Sequence, residues 1–173
     1  MIKDEWKGIG VVVVLVSLLA AAVVPFVMAS TDVPITCTVT AGTYSVSLDR
    51  SEVNYGSMAE GTSKVDPDGA INATNDAGMT QDLLIRGTNA TNDFYIPAAT
   101  WTLAEAPGVD VYKHTYNTSG GEQNLSASDN NMLANDLADG YSQEFTLKLY
   151  TPTTITQTGT YNVDVYVVAT SPV

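Results

Sequence analysis

Few residues in this chain combine the types and spacing that catalysis requires. His114 is the single histidine, and it stands between Tyr112 and Tyr116 in an alternating stretch. No G-x-S-x-G motif accompanies it, and a zinc site would normally need several histidine or cysteine ligands. Carboxylate pairs for glycoside hydrolysis depend on distances that a sequence does not give. We therefore predict that the protein is not an enzyme and uses no cofactor.

Two acidic and amide-rich clusters have the oxygen atoms that calcium prefers. They are Asp66-Pro67-Asp68-Gly69 and Ser128-Asp129-Asn130-Asn131. Neither follows the spacing of an EF-hand loop, and Asp-Pro-Asp-Gly is also a favourable turn sequence. The turn is the better interpretation, and no metal ligand is predicted.

Four Asn-x-Ser/Thr sequons occur, and none has proline in its middle position. In an exported chain each would be a candidate acceptor for an N-linked glycan and therefore a surface site. The four asparagines are Asn72, Asn89, Asn117 and Asn124.

Cys37 is the only cysteine, so the chain cannot form an internal disulfide. In the run Ile35-Thr36-Cys37-Thr38-Val39 it shares a strand face with Ile35 and Val39. Two interpretations remain open: a buried apolar residue, which free cysteine commonly is, or an intermolecular disulfide. Burial is the favoured one.

The first thirty residues indicate export. Residues 9–29 carry no charge, and Val27-Met28-Ala29 resembles a signal cleavage site after Ala29. Two alternatives remain: a type IV prepilin cut after Gly8, which would retain the 9–29 helix, and an uncut membrane anchor, since about 20 apolar residues can span a bilayer. Cleavage at Ala29 is favoured, and sequencing the N-terminus of the native protein would separate the three.

The charge of the remaining chain limits its partners. The net charge is −12, and because the leader charges cancel, all of it belongs to residues 30–173. Nucleic acids and anionic membrane surfaces require basic patches. We therefore expect no nucleic-acid partner, and contact with a membrane only through the leader, during export or if it is retained.

Period-2 alternation dominates residues 30–173 and predicts short strands with one wet face. The clearest cases are Phe145, Leu147 and Leu149, and the run of Tyr161, Val163, Val165 and Val167. Further strands are predicted at residues 35–40, 44–48, 70–74, 82–86, 100–103 and 109–116, with one or two helical turns within 126–139. The sequence thus predicts an all-β, antiparallel β-sandwich, Ig-like or jelly-roll-like, at 30–173 after an N-terminal hydrophobic leader helix at 1–29.

Trp101 and nine dispersed tyrosines allow two interpretations. Packing in the core and across strands is the ordinary one. The other is an exposed platform on which sugar rings stack, which would suit a carbohydrate-binding or adhesive surface module.

The region resembles the small secreted β-sandwich subunits that microbes, and archaea in particular, polymerise into surface filaments, pili and sheaths. The resemblance lies in the leader, the threonine-rich strand at 35–40, the Val53-Asn54-Tyr55-Gly56 turn with Gly61-Thr62-Ser63, and the terminal strand at 159–169. It implies that one chain completes the sheet of its neighbour with a terminal strand, a role that residues 31–40 could take.

We therefore expect a secreted structural protein of the cell surface. It would be a subunit of a filament, pilus or sheath that self-assembles with copies of itself through strand pairing. N-glycans at the sequons would make it a glycoprotein.

Overall fold

Strands and connecting loops make up the described part of the chain. The computed structural model describes residues 43–95, 97–127 and 131–173, all within the unit Thr40–Val173. No helix occurs in these ranges, and so none that could span a membrane. The predicted leader with Gly8 and Ala29, the strand at 35–40, Cys37 and Asp129 lie outside them.

Eleven strands occur in the described residues, arranged in two sheets. The larger sheet has the order β1-β3-β10-β7-β6-β5, with β2 paired to β10 and β8 paired to β7, and the smaller has the order β11-β4-β9. All pairs are antiparallel except β6 with β7. The strands are β1 (Val46–Leu48), β2 (Ser63–Val65), β3 (Ile71–Asn75), β4 (Gln81–Gly87), β5 (Ala90–Asn92), β6 (Ala99–Leu103), β7 (Val111–Thr118), β8 (Gly121–Asn124), β9 (Asn131–Leu137), β10 (Ser142–Tyr150) and β11 (Val165–Thr170).

Strand β10 organises the larger sheet. Phe145, Leu147 and Leu149 are buried, because alternate side chains of a strand point to the same face. The register places Phe145 opposite Ile71 of β3 and Leu147 opposite Tyr116 of β7, so the buried residues of three strands lie on one face. The alternation predicted for β10 is confirmed.

The two sheets share one hydrophobic cluster. Phe145 and Leu147 of the larger sheet belong to it together with Leu83 and Ile85 of β4. Burying one such aliphatic or aromatic side chain stabilises a fold by about 1.5–3 kcal/mol, so this cluster is the main attachment between the sheets. The prediction of an all-β protein is confirmed for the described residues.

The predicted helical turns within residues 126–139 are wrong for the part that is described. Asn131–Leu137 forms β9, which pairs with β4 through an irregular register. Leu133 and Ala134 are both buried while Met132 is exposed, and the irregular register with β4 accounts for the two adjacent buried residues. Asparagine and aspartate are poor helix formers in a helix interior, and pairing with β4 decides the backbone here.

The C-terminal strand begins later than the sequence predicts. Tyr161, Val163, Val165 and Val167 are all half-buried and alternate with exposed residues, so their common face is confirmed. Only residues from Val165 onward pair with β4. Before that point the chain is joined to the larger sheet by one bridge, from Asn162 to Thr91 of β5.

Gly159 stands where this C-terminal segment passes close to β5. Its φ is +148°, and an added Cβ would overlap the side-chain amide of the buried Asn92. We predict that Gly159→Ala lowers the free energy of unfolding by about 1–3 kcal/mol, through backbone strain and displacement of Asn92.

Urea denaturation would measure this change. Gly120→Ala is the matched control, because Gly120 has an ordinary φ and an added Cβ would be 3.5 Å from Thr118 Oγ1. The control should stay within about 0.5 kcal/mol of the parent protein. Equal stability of the two variants would contradict the prediction.

Candidate functional site

A groove of about 940 Å³ opens between the two sheets. Its floor is the buried face of the larger sheet, formed by Ile71 of β3 and by Phe145, Leu147 and Leu149 of β10. These side chains are the central apolar residues of their strands. The groove therefore lies over apolar side chains that are themselves only 2–7% exposed.

The edge strand β11 and the segment before it form one wall. Val163, Val165 and Val167 line the groove and are half-buried. Within the described residues β11 pairs with β4 along one edge, and its other edge carries no strand. A row of valines thus lies beside a strand edge that no other described strand pairs with, and an added strand recognises such an edge through its main-chain groups.

The opposite wall is an irregular segment, residues 49–58, which we call the strap. The strap is attached to the larger sheet by side-chain contacts and not by the main-chain hydrogen bonds of a paired strand. Arg50 makes a two-pronged ion pair with Asp66, with Nη2–Oδ2 at 2.6 Å and Nη1–Oδ1 at 3.1 Å. Lys64 Nζ donates to the carbonyl oxygen of Tyr55 at 2.7 Å.

His114 lies beneath the strap. Its Nε2 is 3.1 Å from the Tyr55 hydroxyl, and the two rings meet edge to face with centroids 5.9 Å apart. Burial lowers the pKa of His114 to about 4, and the Asp66 carboxylate opposes this shift only in part. Burial also raises the pKa of Tyr55. A neutral imidazole bound to a tyrosine hydroxyl anchors the strap.

Trp101 also lines the groove, yet it is only 8% exposed. Its ring stacks on Tyr161 with centroids 3.8 Å apart and planes 18° apart. A sugar ring could not take that face without displacing Tyr161. The geometry favours the core-packing interpretation of Trp101.

The Asp66-Pro67-Asp68-Gly69 cluster is a turn, as predicted. Asp66 Oδ1 accepts from the Asp68 amide at 3.0 Å, and Gly69 has a φ of +90°. The Asp66 carboxylate is occupied by Arg50. Among the described residues there is no group of three acidic, histidine or cysteine side chains placed to hold a metal.

The four sequon asparagines lie apart from the groove. Asn72, Asn117 and Asn124 are in β3, β7 and β8, and Asn89 lies between β4 and β5. Cys37 is outside the described residues, so both interpretations of it stay predictions. Sequence reasoning missed the strap and the anchor at Tyr55. The Asn54-Tyr55-Gly56 turn was visible, but its contact with His114, 59 residues away, was not.

Comparison with known proteins adds no relative: no family model, no curated protein and no solved structure matches this chain.

The buried state of His114 makes stability depend on pH. Its pKa is about 4 in the folded protein and about 6.5 when unfolded, so between these values the unfolded chain binds the extra proton. The contribution of the neutral His114 to the free energy of unfolding is therefore fully present at pH values above 6.5, and it is lost progressively as the pH drops toward 4. We predict a loss of about 1–2 kcal/mol between pH 6.5 and 5.

Urea titrations at several pH values would measure the slope, with His114→Gln as the comparison. The free energy of unfolding of the variant should stay constant between pH 6.5 and 5, whatever its absolute value, because ordinary carboxylates titrate mainly below pH 5. If parent and variant lose stability in parallel, the titrating group is not His114.

Proposed function

We propose that this protein is an exported subunit of an extracellular homopolymer, in which a strand of one copy enters the groove of the next. The domain would be a β-sandwich that lacks one strand beside β11. The observation that carries the proposal is the groove itself, with an apolar floor, a valine-lined wall and an edge of β11 that no strand of the described residues pairs with.

The arrangement of the sheets supports a sandwich. Buried residues of β3, β7 and β10 pack with those of β4 and β9 in one cluster, which is how two sheets form a common core. Among the described residues the smaller sheet ends at β11, and β11 lines the groove. One further strand beside β11 would extend the smaller sheet along the groove.

The occupant we propose is the segment of residues 31–40 from a second copy. Ile35, Cys37 and Val39 would form its apolar face and meet the groove, while Thr36 and Thr38 would face outward. Ten extended residues span about 33 Å, enough to run the full length of β11. Main-chain hydrogen bonds would supply affinity and alternate side chains would supply fit.

Such pairing is heterologous, because each copy offers a strand and a groove that are different surfaces. A heterologous contact that does not close into a ring propagates as a filament. The acidic surface, with a net charge of −12, would keep unassembled copies soluble. We place the polymer at the cell surface, and we propose no catalytic role for His114, because its Nε2 lies 3.1 Å from the Tyr55 hydroxyl in the anchor of the strap.

Two substitutions in the chain that begins at Ser30 test the mechanism. Ile35→Asp places a charge on the entering strand, and Val163→Asp places one in the groove. We expect each variant to stay folded and monomeric under conditions in which the parent protein forms filaments, because an unpaired charge is costly to bury. Electron microscopy and gel filtration would show this.

Mixing the two variants gives the sharper result. The intact groove of Ile35→Asp should accept the intact strand of Val163→Asp, which yields a one-to-one dimer that cannot grow. Thr36→Asp, on the outward face of the same strand, is the matched control and should still assemble. Filaments from either groove or strand variant alone, or a mixture that stays monomeric, would contradict the proposal. A parent protein that remains monomeric with residues 31–40 bound to its own groove would do the same.

A further inference from the structure

Three of the four sequons share one face of the larger sheet. Asn72 pairs with Glu144, and Asn117 pairs with Thr146, while the intervening Phe145 points into the core. Asn124 pairs with Thr115, which is opposite Lys148. Directly paired residues lie on the same side of a sheet. The three asparagines are therefore all on the side away from the core and the groove.

Polar side chains predominate at the centre of this outer face, where the one exposed aliphatic residue opposite Lys148 is Val65. Lys148 Nζ lies 3.7 Å from Glu122 Oε2 and 4.6 Å from the centre of the Tyr150 ring, and Lys113 lies 5.0 Å from that ring centre. The Tyr150 hydroxyl donates to Glu122 Oε1 at 2.7 Å. These groups satisfy one another in water, so the face needs no second layer of protein to cover it.

The asparagines differ in how free their side-chain amides are. Asn72 Nδ2 donates to Asp49 Oδ2 at 2.8 Å, and Asn89 Oδ1 accepts from the Leu103 amide at 3.0 Å. Asn124 is half-buried. Asn117 is exposed, and its side chain makes no hydrogen bond with the described residues. Its sequon hydroxyl, Ser119, is exposed in the turn that follows β7.

We propose that Asn117 carries an N-linked glycan, and that the outer face of the larger sheet is the glycan-bearing face of the subunit. The inference rests on the export that the proposed function requires. Asn124 is a diagonal neighbour of Asn117 across the β7–β8 pair, about 7–8 Å away. A glycan on Asn117 therefore covers both positions. It also keeps this face of the sheet out of any contact between copies.

The group that reacts is the amide nitrogen Nδ2. It bonds to the anomeric carbon of an oligosaccharide carried on a lipid phosphate. The bond from that carbon to the phosphate oxygen breaks, the lipid phosphate leaves with the electron pair, and a transferase base takes the amide proton.

The test uses the protein secreted by its own organism. Intact mass and fragmentation of the tryptic peptide 114–148 should show a sugar mass located on Asn117. That mass should disappear in Asn117→Gln and in Ser119→Ala, and it should persist in Ser119→Thr, which restores the sequon. Asn89→Gln is the matched control, and it should leave the glycan on peptide 114–148 unchanged.

An unmodified Asn117 in the secreted parent protein would overturn the inference, and so would a sugar that persists in Ser119→Ala. Electron microscopy of the same preparation reports on the proposed function separately. Filaments with a bare Asn117 would refute only the glycan. A glycosylated protein that never assembles would refute only the polymer.

Discussion

The central constraint on this structure is that, within the part of the chain that the structure describes, a sheet of three strands must cover the apolar face of a sheet of eight strands. In the described residues, five of the eight strands of the larger sheet (β3, β5, β6, β7 and β10) contribute buried side chains, and the other sheet has only three strands. A buried aliphatic side chain contributes about 1.5–3 kcal/mol only when water is excluded from it. The remaining area must therefore be covered by irregular chain or by another strand. Because the smaller sheet has so few strands, irregular chain takes part in covering the core. This irregular chain is the strap and the segment before β11, and the groove lies between them.

Irregular chain can cover a core only if its polar groups find partners. The strap uses an arginine–carboxylate fork, a lysine bound to a carbonyl and a tyrosine bound to His114. On the other side, Asp110 accepts from both the amide and the hydroxyl of Thr156. An unpaired buried polar group costs about 1–3 kcal/mol. Such side-chain attachments are therefore what allows loops to replace strands here.

Sequence alone predicts the strands that bury a full apolar face. The alternation of Phe145, Leu147 and Leu149 predicts β10, and the run around Leu83 and Ile85 predicts β4. Strands β2, β5 and β8 are short and mostly polar, so the sequence has no apolar alternation there. These segments are extended because they form main-chain hydrogen bonds with a neighbouring strand. In β9 the local composition indicates a helix terminus. The partner that overrides it, β4, begins 50 residues earlier.

The candidate site was less predictable than the fold for the same reason. The groove exists because the two sheets have different numbers of strands. The number of strands in a sheet depends on pairing between segments that are far apart in the sequence, and no local pattern predicts that pairing. His114 was visible as an isolated histidine, but its role depends on Tyr55, which reaches it from a separate segment. The alternation of the sequence predicts the valine row before and within β11, but it does not predict that the second edge of β11 has no partner strand among the described residues.

An unpaired edge beside an apolar groove is a hazard for a protein at high concentration, because any compatible strand can add to it. Natural sheets usually protect such an edge with charge, proline or a covering loop. The residues of β11 that face the groove, Val165 and Val167, offer none of these, although the chain as a whole is strongly acidic. Charge spread over the surface slows every association equally, but it cannot select one partner. In the polymer that we propose, selection would come from the fit of alternate side chains into the groove, and an identical copy would supply the strand.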